Sequence, residues 1–356
     1  MITQVISAVT QEEGGTTLGA SLIRAGELVA FPTETVYGLG ANGLDGEAVN
    51  RIFEAKGRPN DNPLILHIAK KSDLKKLWAH VPDRAYPLIE TFWPGPLTLI
   101  FHKADVVPYE VTAGLETVAV RMPSDRTARA LIRKAEVPIA APSANRSGKP
   151  SPTNAKHVLD DMDGRIPLIL DGGDCKYGVE STVLSLVGEP TILRPGAITR
   201  EMLEAVIGPV RLAASILKPL GEREVAASPG MKYKHYAPDA RVIVVDGTPE
   251  ETSKCVLSLY YDLLEEGKTV EVLSTAQTQF RYRGIAATEI GDRAHPETLC
   301  ANLFSALREV GALCDVILAE GVGTSEEGLA YMNRLLRAAG FDRIDASEYN
   351  KKQTKQ

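Results

Sequence analysis

Apolar positions along the first two thirds of the chain alternate between helical stripes and short continuous runs. In TTLGASLIRAG, Leu18, Leu22 and Ile23 form a helical face that Gly26 closes, and LVAFP follows as a strand. AVNRIFEAKG puts Val49, Ile52 and Phe53 on one side of a helix, with Gly57 as a left-handed terminator, before the strand PLILHIA. SDLKKLW predicts a helix with Ser72 as N-cap, and a further helix stops ahead of the rigid WPGP at 93–96. LTLIF and TVAVRMP read as strands, and Ser124 and Asp125 open the amphipathic run RTARALIRKA. PIAAPSAN predicts a strand ending in a polar turn. PLILDGG, STVLSLV and TILRPG supply three more strands before the helix TREMLEAVIG, capped by Gly208. Short strands mixed with ten-residue helices predict an α/β domain, and the hairpin-like spacing over 181–194 predicts a mixed sheet rather than a purely parallel one.

The pattern weakens over 211–239, where LGEREVAASPGMKYKHYAPDA combines Gly, Pro and an aromatic-basic knot. Beyond it, ARVIVVDG, TVEVLS and VILAEG alternate with helical stretches at 251–266, 295–310 and 326–339, the rhythm of a small Rossmann-like parallel sheet. The expected organisation is a first domain over 1–210, a linker or lid over 211–239 and a second domain over 240–350.

Composition adds limits. The chain of 356 residues is 44% apolar and 24% charged, which is ordinary for a soluble protein. Its opening residues carry no secretory pattern, and no apolar run reaches the ~18 residues of a membrane span, so a cytoplasmic location without membrane attachment is expected. Cys175, Cys255, Cys300 and Cys314 are scattered without zinc spacing, which argues for free thiols and no structural metal. The formal charge of -6 is uneven: residues 1–240 hold 27 Lys and Arg against 28 Asp and Glu, whereas 241–356 hold 13 against 18. An anion-handling surface is therefore expected in the first domain.

Four polar clusters fall at strand ends: PTETVYG (32–38), KGRPNDNP (56–63), PSANRSG (142–148) and GVEST (178–182). Arg121 and Arg194 stand at two further strand ends, where open α/β sheets place ligands. Lys56 and Arg58 combine a point charge with a planar fork and suit phosphate oxygens. Lys56 also sits near a helix C-terminus, where the dipole alone stabilises a cation by roughly 0.3–1 kcal/mol. Ser143 and Asn145 suit either a turn or a nucleotide contact. Thr33, Thr35 and Tyr37 suit either a strand edge or a small polar substrate. His67 reads as a core imidazole or a site residue, and Ser181 and Arg194 stand equally open. Arg121 must meet a carboxylate, from the protein or from a substrate, because an unpaired interior cation is expensive. No Asp or Glu stands out as a base for the site. P-loop, nucleophile-elbow and zinc-protease motifs are absent, and AEGVGTSEEG lacks the third glycine of a dinucleotide fingerprint.

Taken in order, PTETVYGLG, K-x-R followed by NPL, FWPGPLT, AVRMP, PSAN-SG and GVESTV with a later LRPG resemble the YrdC-type threonylcarbamoyl-AMP synthases. SPGMKYKHYAP and the second domain resemble the long, two-domain form, apart from an apparent insertion of Tyr233 and Lys234. The resemblance implies a nucleotidyltransferase that makes threonylcarbamoyl-AMP and pyrophosphate from L-threonine, bicarbonate or CO2, and ATP, with Mg²⁺ bound mainly through the nucleotide. It further implies a downstream complex that transfers the group to N6 of adenosine 37 in tRNA, and contact with tRNA or double-stranded RNA. Carried over by residue, Lys56 and Arg58 would be catalytic and hold ATP together with Ser143, Asn145 and Arg194. Thr33, Thr35, Tyr37, His67, Arg121 and Ser181 would surround threonine, and Tyr236 would belong to the lid. A non-catalytic RNA-binding module of the same fold is the alternative, although the net charge gives it no clear basic footprint.

Overall fold

The computed structural model describes residues 2–218, 235–325 and 327–353. They form two compact units, one from residues up to 147 and 151–216, the other from 148–150, 217–218 and 235 onward. Residues 219–234, which hold most of the expected linker and the Tyr233–Lys234 insertion, lie outside the described residues.

The first unit is built on β1 (Gln4–Ser7), β2 (Val29–Phe31), β3 (Gly38–Asn42), β4 (Ile65–His67), β5 (Leu97–His102) and β6 (Thr117–Arg121). It continues with β7 (Ile139–Ala140), β8 (Leu168–Asp171), β9 (Thr182–Ser185), β10 (Thr191–Arg194) and β11 (Arg211–Leu212). They make one 11-stranded sheet in the order β1-β8-β2-β3-β7-β4-β6-β5-β9-β10-β11. Pairing is mixed as expected: β4 lies parallel to β6 and antiparallel to β7, and β9 and β10 form the antiparallel pair anticipated over 181–194. Helices Glu12–Arg24 and Arg126–Ala135 cover one part of the sheet, burying Ile23, Leu131 and Ile132 against Phe31, Leu168 and Leu170. Asp125 caps the second of these helices by accepting the Ala128 N–H at 2.8 Å.

Two expectations change. Ser72 does not cap a helix: it lies inside a 3-10 turn, Lys71–Asp73, which leads into the single turn Leu74–Leu77 without a side-chain cap. PIAAPSAN contributes only the two-residue β7, because the chain turns away immediately to present Ser143 and Asn145. The pattern does not mark β1, β3, the helix Ala155–Met162, or the strands Ala287–Glu289 and Arg343–Asp345 of the second unit.

The second unit has β12 (Arg241–Asp246), β13 (Val270–Ser274), β14 (Ala287–Glu289), β15 (Val316–Glu320) and β16 (Arg343–Asp345), ordered β14-β13-β15-β12-β16 and parallel throughout. Thr248 and Glu251 cap the helix Pro249–Glu265 reciprocally, each side chain accepting the other's backbone N–H. At the end of β15 the fully buried Glu320 accepts bonds from Thr275 Oγ1 (2.8 Å), Thr278 Oγ1 (2.7 Å), Tyr282 OH (2.5 Å) and Arg293 Nη2 (3.3 Å). A buried carboxylate is tolerated there because cation and hydroxyls replace its water.

Candidate active site

The site begins where the helix Gly46–Lys56 ends. Asp45 fixes its start by accepting the Glu47 and Ala48 N–H groups, and Gly57 ends it at φ +64, a left-handed conformation that glycine adopts without a Cβ penalty. Lys56 is thereby buried, and its Nζ donates to the carbonyls of Ser143 (2.6 Å) and Asn145 (2.5 Å). The K-x-R segment and the S-x-N turn, nearly ninety residues apart in sequence, are joined through one ammonium. Ser143 Oγ bonds Asn145 Oδ1 at 2.5 Å, and the Ser147 N–H donates to Lys56 O at 3.0 Å. Arg58 donates to Asn62 O at 3.0 Å and stacks over Phe53, its Cζ 5.6 Å from the ring centre. Asn62 thus holds the arginine through its backbone.

A second group is set by strand register. His67 on β4 pairs with Arg121 on β6, and Arg121 pairs with Thr98 on β5, so the three stand side by side on one face. Arg121 Nη1 donates to Thr35 Oγ1 at 2.9 Å, and Thr35 Oγ1 lies 2.8 Å from Thr33 Oγ1. Across the sheet, Thr98 Oγ1 meets Ser181 Oγ at 2.7 Å, and Arg194 donates to Ser181 Oγ at 3.1 Å and Ser181 O at 3.0 Å. Gly196 of LRPG permits this seat, because a Cβ there would lie 2.5 Å from Thr182 N and 2.7 Å from Glu180 O. The two groups are connected by the loop before β3: Gly38 bridges Ser143, and the Ala144 N–H donates to Tyr37 O at 2.9 Å.

Arg121 has its carboxylate inside the protein. Glu34, set between Thr33 and Thr35, lies 2.7 Å from Nη2, with side-chain exposures of 7% for the acid and 4% for the arginine. Of the two carboxylate sources open to Arg121, the protein therefore supplies one, through a residue that the strand-end pattern does not single out. Burial pushes its carboxyl up, but the Arg121 charge and hydrogen bond, with backbone N–H groups, hold it below the usual carboxylate range. Asp125 nearby is raised by burial, with the Glu34 charge adding to the effect. Burial, then the Arg121 charge, pushes His67 down to about 3, so its imidazole is neutral near pH 7; its Nδ1 lies 3.2 Å from Ile65 O. Tyr37 is fully buried, and its hydroxyl donates to Gly173 O (2.8 Å) and accepts the Gly172 N–H (3.0 Å), which ties the loop to the end of β8. A second acid that the sequence reading passed over, Glu180, is buried and accepts from Ser151 Oγ at 2.5 Å.

Tyr236 belongs to the second unit. Its ring packs on Phe304 with centres 5.0 Å apart, 6.0 Å from the Arg334 guanidinium carbon, and its backbone is left-handed at φ +65. Among the described residues, no group of three His, Cys, Asp or Glu side chains could hold a metal, and no helix is long and apolar enough to cross a membrane.

Fold and site together define a mixed-sheet α/β protein whose strand ends and loops gather buried cations and hydroxyls, followed by a parallel-sheet unit. The family described as "Telomere recombination", of Sua5, YciO and YrdC proteins, matches residues 21–196, and "Threonylcarbamoyl-AMP synthase, C-terminal domain" matches residues 198–340. The threonylcarbamoyl-AMP synthase of Pyrococcus abyssi is 50% identical over 93% of this chain and 95% of its own length, and that of Bacillus subtilis 50% over 90% and 92%. The enzyme of the same name from Schizosaccharomyces pombe is 42% identical over 87% of this chain. Among solved structures, P. abyssi Sua5 complexed with L-threonine superposes with a TM-score of 0.90 at 48% identity, covering 97% of this chain and 99% of that one. A double-alanine variant of the same protein gives 0.91. The chain belongs to the threonylcarbamoyl-AMP synthase family, in its two-domain Sua5 form.

Proposed function

We infer that this chain is an L-threonylcarbamoyladenylate synthase, joining L-threonine, bicarbonate or CO2, and ATP into threonylcarbamoyl-AMP and pyrophosphate for N6-threonylcarbamoylation of tRNA adenosine 37. The observation that carries this is the connection of two differently equipped groups, Lys56 with the Ser143–Asn145 turn and Arg121 with Thr35, through the single loop 32–38. The L-threonine complex of the P. abyssi protein supports an amino acid as one occupant.

In this reading Arg121 takes the threonine carboxylate, with Thr33, Thr35, Tyr37, His67 and Ser181 framing the amino acid. Lys56, Arg58, Ser143, Asn145 and Arg194 hold ATP. Two anions, carbamate and α-phosphate, must then meet, and at an effective dielectric near 20 unit charges 4 Å apart repel by roughly 4 kcal/mol. Fixed cations at Lys56 and Arg58 offset that repulsion without reorganising, so catalysis rests on positioning and electrostatics. A site built to bond the threonine hydroxyl would reject an analogue lacking it far more strongly than a methyl-sized pocket separates serine from threonine. Mg²⁺, bound mainly through the nucleotide, would neutralise polyphosphate charge.

Tyr236 would anchor the lid that shields the water-sensitive intermediates. The expected domain over 1–210 would carry catalysis, and that over 240–350 would brace the linker. A cytoplasmic location, hand-over to a downstream tRNA-modifying complex and contact with tRNA complete the proposal. The test is pyrophosphate release combined with mass spectrometry of the product. Threonylcarbamoyl-AMP should form only when threonine, bicarbonate and ATP are present together; pyrophosphate release indifferent to threonine would overturn the reading, as would salt-sensitive RNA retention with no product at all.

A further inference from the structure

The Arg121–Glu34 pair raises a question of selectivity. Arg121 carries five N–H donors, and the protein engages it three times, through Nε to Gly95 O (3.3 Å), Nη1 to Thr35 and Nη2 to Glu34. A ligand carboxylate that binds this guanidinium therefore shares it with Glu34, at a separation of a few ångströms. Glu34 is held in place on its other side too, its Oε2 accepting the Asp125 N–H at 3.4 Å. It is ionised under working conditions, since Arg121 and backbone N–H groups hold its carboxyl below the usual range.

Resting on the reading above that threonine binds at Arg121, we propose that Glu34 is a specificity-determining residue: its carboxylate, fixed on Arg121, makes the crevice accept the zwitterionic head of an α-amino acid and refuse a plain carboxylate. A zwitterion brings an ammonium that answers Glu34 while its carboxylate answers Arg121. A hydroxy acid without the amine brings only a second negative charge to a guanidinium that already has one. Glu34 and Arg121 are both buried, so the repulsion is weakly screened there. The idea concerns the binding step, in which the amine arrives protonated; carboxylation of that amine follows after it loses its proton.

The experiment is isothermal titration of the full chain with L-threonine and with 3-hydroxybutyrate, the same skeleton lacking the amine, in the wild type and in Glu34→Gln. Glutamine keeps an acceptor for Arg121 and removes the charge. The ratio of the 3-hydroxybutyrate Kd to the threonine Kd should fall by about tenfold or more in the variant, tenfold being only part of a unit-charge interaction at such range. A ratio unchanged within about twofold would overturn the assignment. If the variant fails to fold, as a thermal melt would reveal, the wild type alone decides: 3-hydroxybutyrate should bind at least about tenfold more weakly than threonine, and equal binding refutes the role. Failure of the wild type to bind threonine at all would remove the functional reading and this inference together, whereas threonine binding without discrimination removes only the inference.

Discussion

Lys56 Nζ holds the carbonyls of Ser143 and Asn145 at 2.6 and 2.5 Å, so one buried ammonium both organises the S-x-N turn and supplies the positive charge beside it. A cation used only to complement its helix C-terminus would stay exposed; this one is 4% exposed and reaches across to another loop. Lys56→Met should therefore lower pyrophosphate formation by about 10²–10³-fold, the cost typical of losing a fixed charge-stabilising donor. Steady-state kinetics with a circular-dichroism check of the fold measures it, and a loss below about threefold would contradict the role.

His67 gives a prediction in pH. Its folded pKa of about 3 lies well below the ordinary 6.5, so between those values the unfolded chain binds a proton that the folded chain refuses. Stability must therefore fall as pH drops from 6.5 towards 3, at roughly 1.4 kcal/mol per pH unit from this group. In an NMR titration the His67 ring resonance should stay that of a neutral imidazole from pH 7.5 down to pH 5, and the melting temperature of His67→Gln should decline less steeply over that range. A ring that titrates near 6.5 would contradict the burial account.

The second unit offers a structural test. Arg293, 14% exposed, neutralises the fully buried Glu320, and Arg293→Met would leave that carboxylate with three hydroxyls and the Thr275 N–H but no cation. Breaking a buried pair from one side typically costs about 3–5 kcal/mol. Urea unfolding should show the second unit melting at lower denaturant, and an unshifted midpoint would mean that the hydroxyls of Thr275, Thr278 and Tyr282 and the Thr275 N–H carry the carboxylate without a cation.

Much of the fold was legible because it rests on local rules. The stripe in RTARALIRKA, the terminator Gly57 and the hairpin spacing before β10 each act within a dozen residues. Strands β3 and β16 escaped because GLGAN and RID lack the β-branched runs that mark a strand, and register with neighbours forms them instead. The site divides the same way. K-x-R and S-x-N can be picked out as polar turns, but their union through Lys56 depends on the sheet bringing 56 beside 143–145. Glu34 was overlooked between two threonines noticed for their hydroxyls, since its partner stands 87 positions away and only the β4–β6 register and the loop before β3 bring Arg121 under it. Thr98 was missed for the same reason, its role being fixed by Ser181 across the sheet.

In the proposed function, one site seats an amino acid on Arg121 and a nucleotide on Lys56 and Arg58. A crystal structure with L-threonine and a non-hydrolysable ATP analogue bound together tests it most directly. The threonine carboxylate should lie on the Arg121 guanidinium and the phosphates against Lys56 and Arg58; a nucleotide seated elsewhere, or a carboxylate turned away from Arg121, would contradict this assignment.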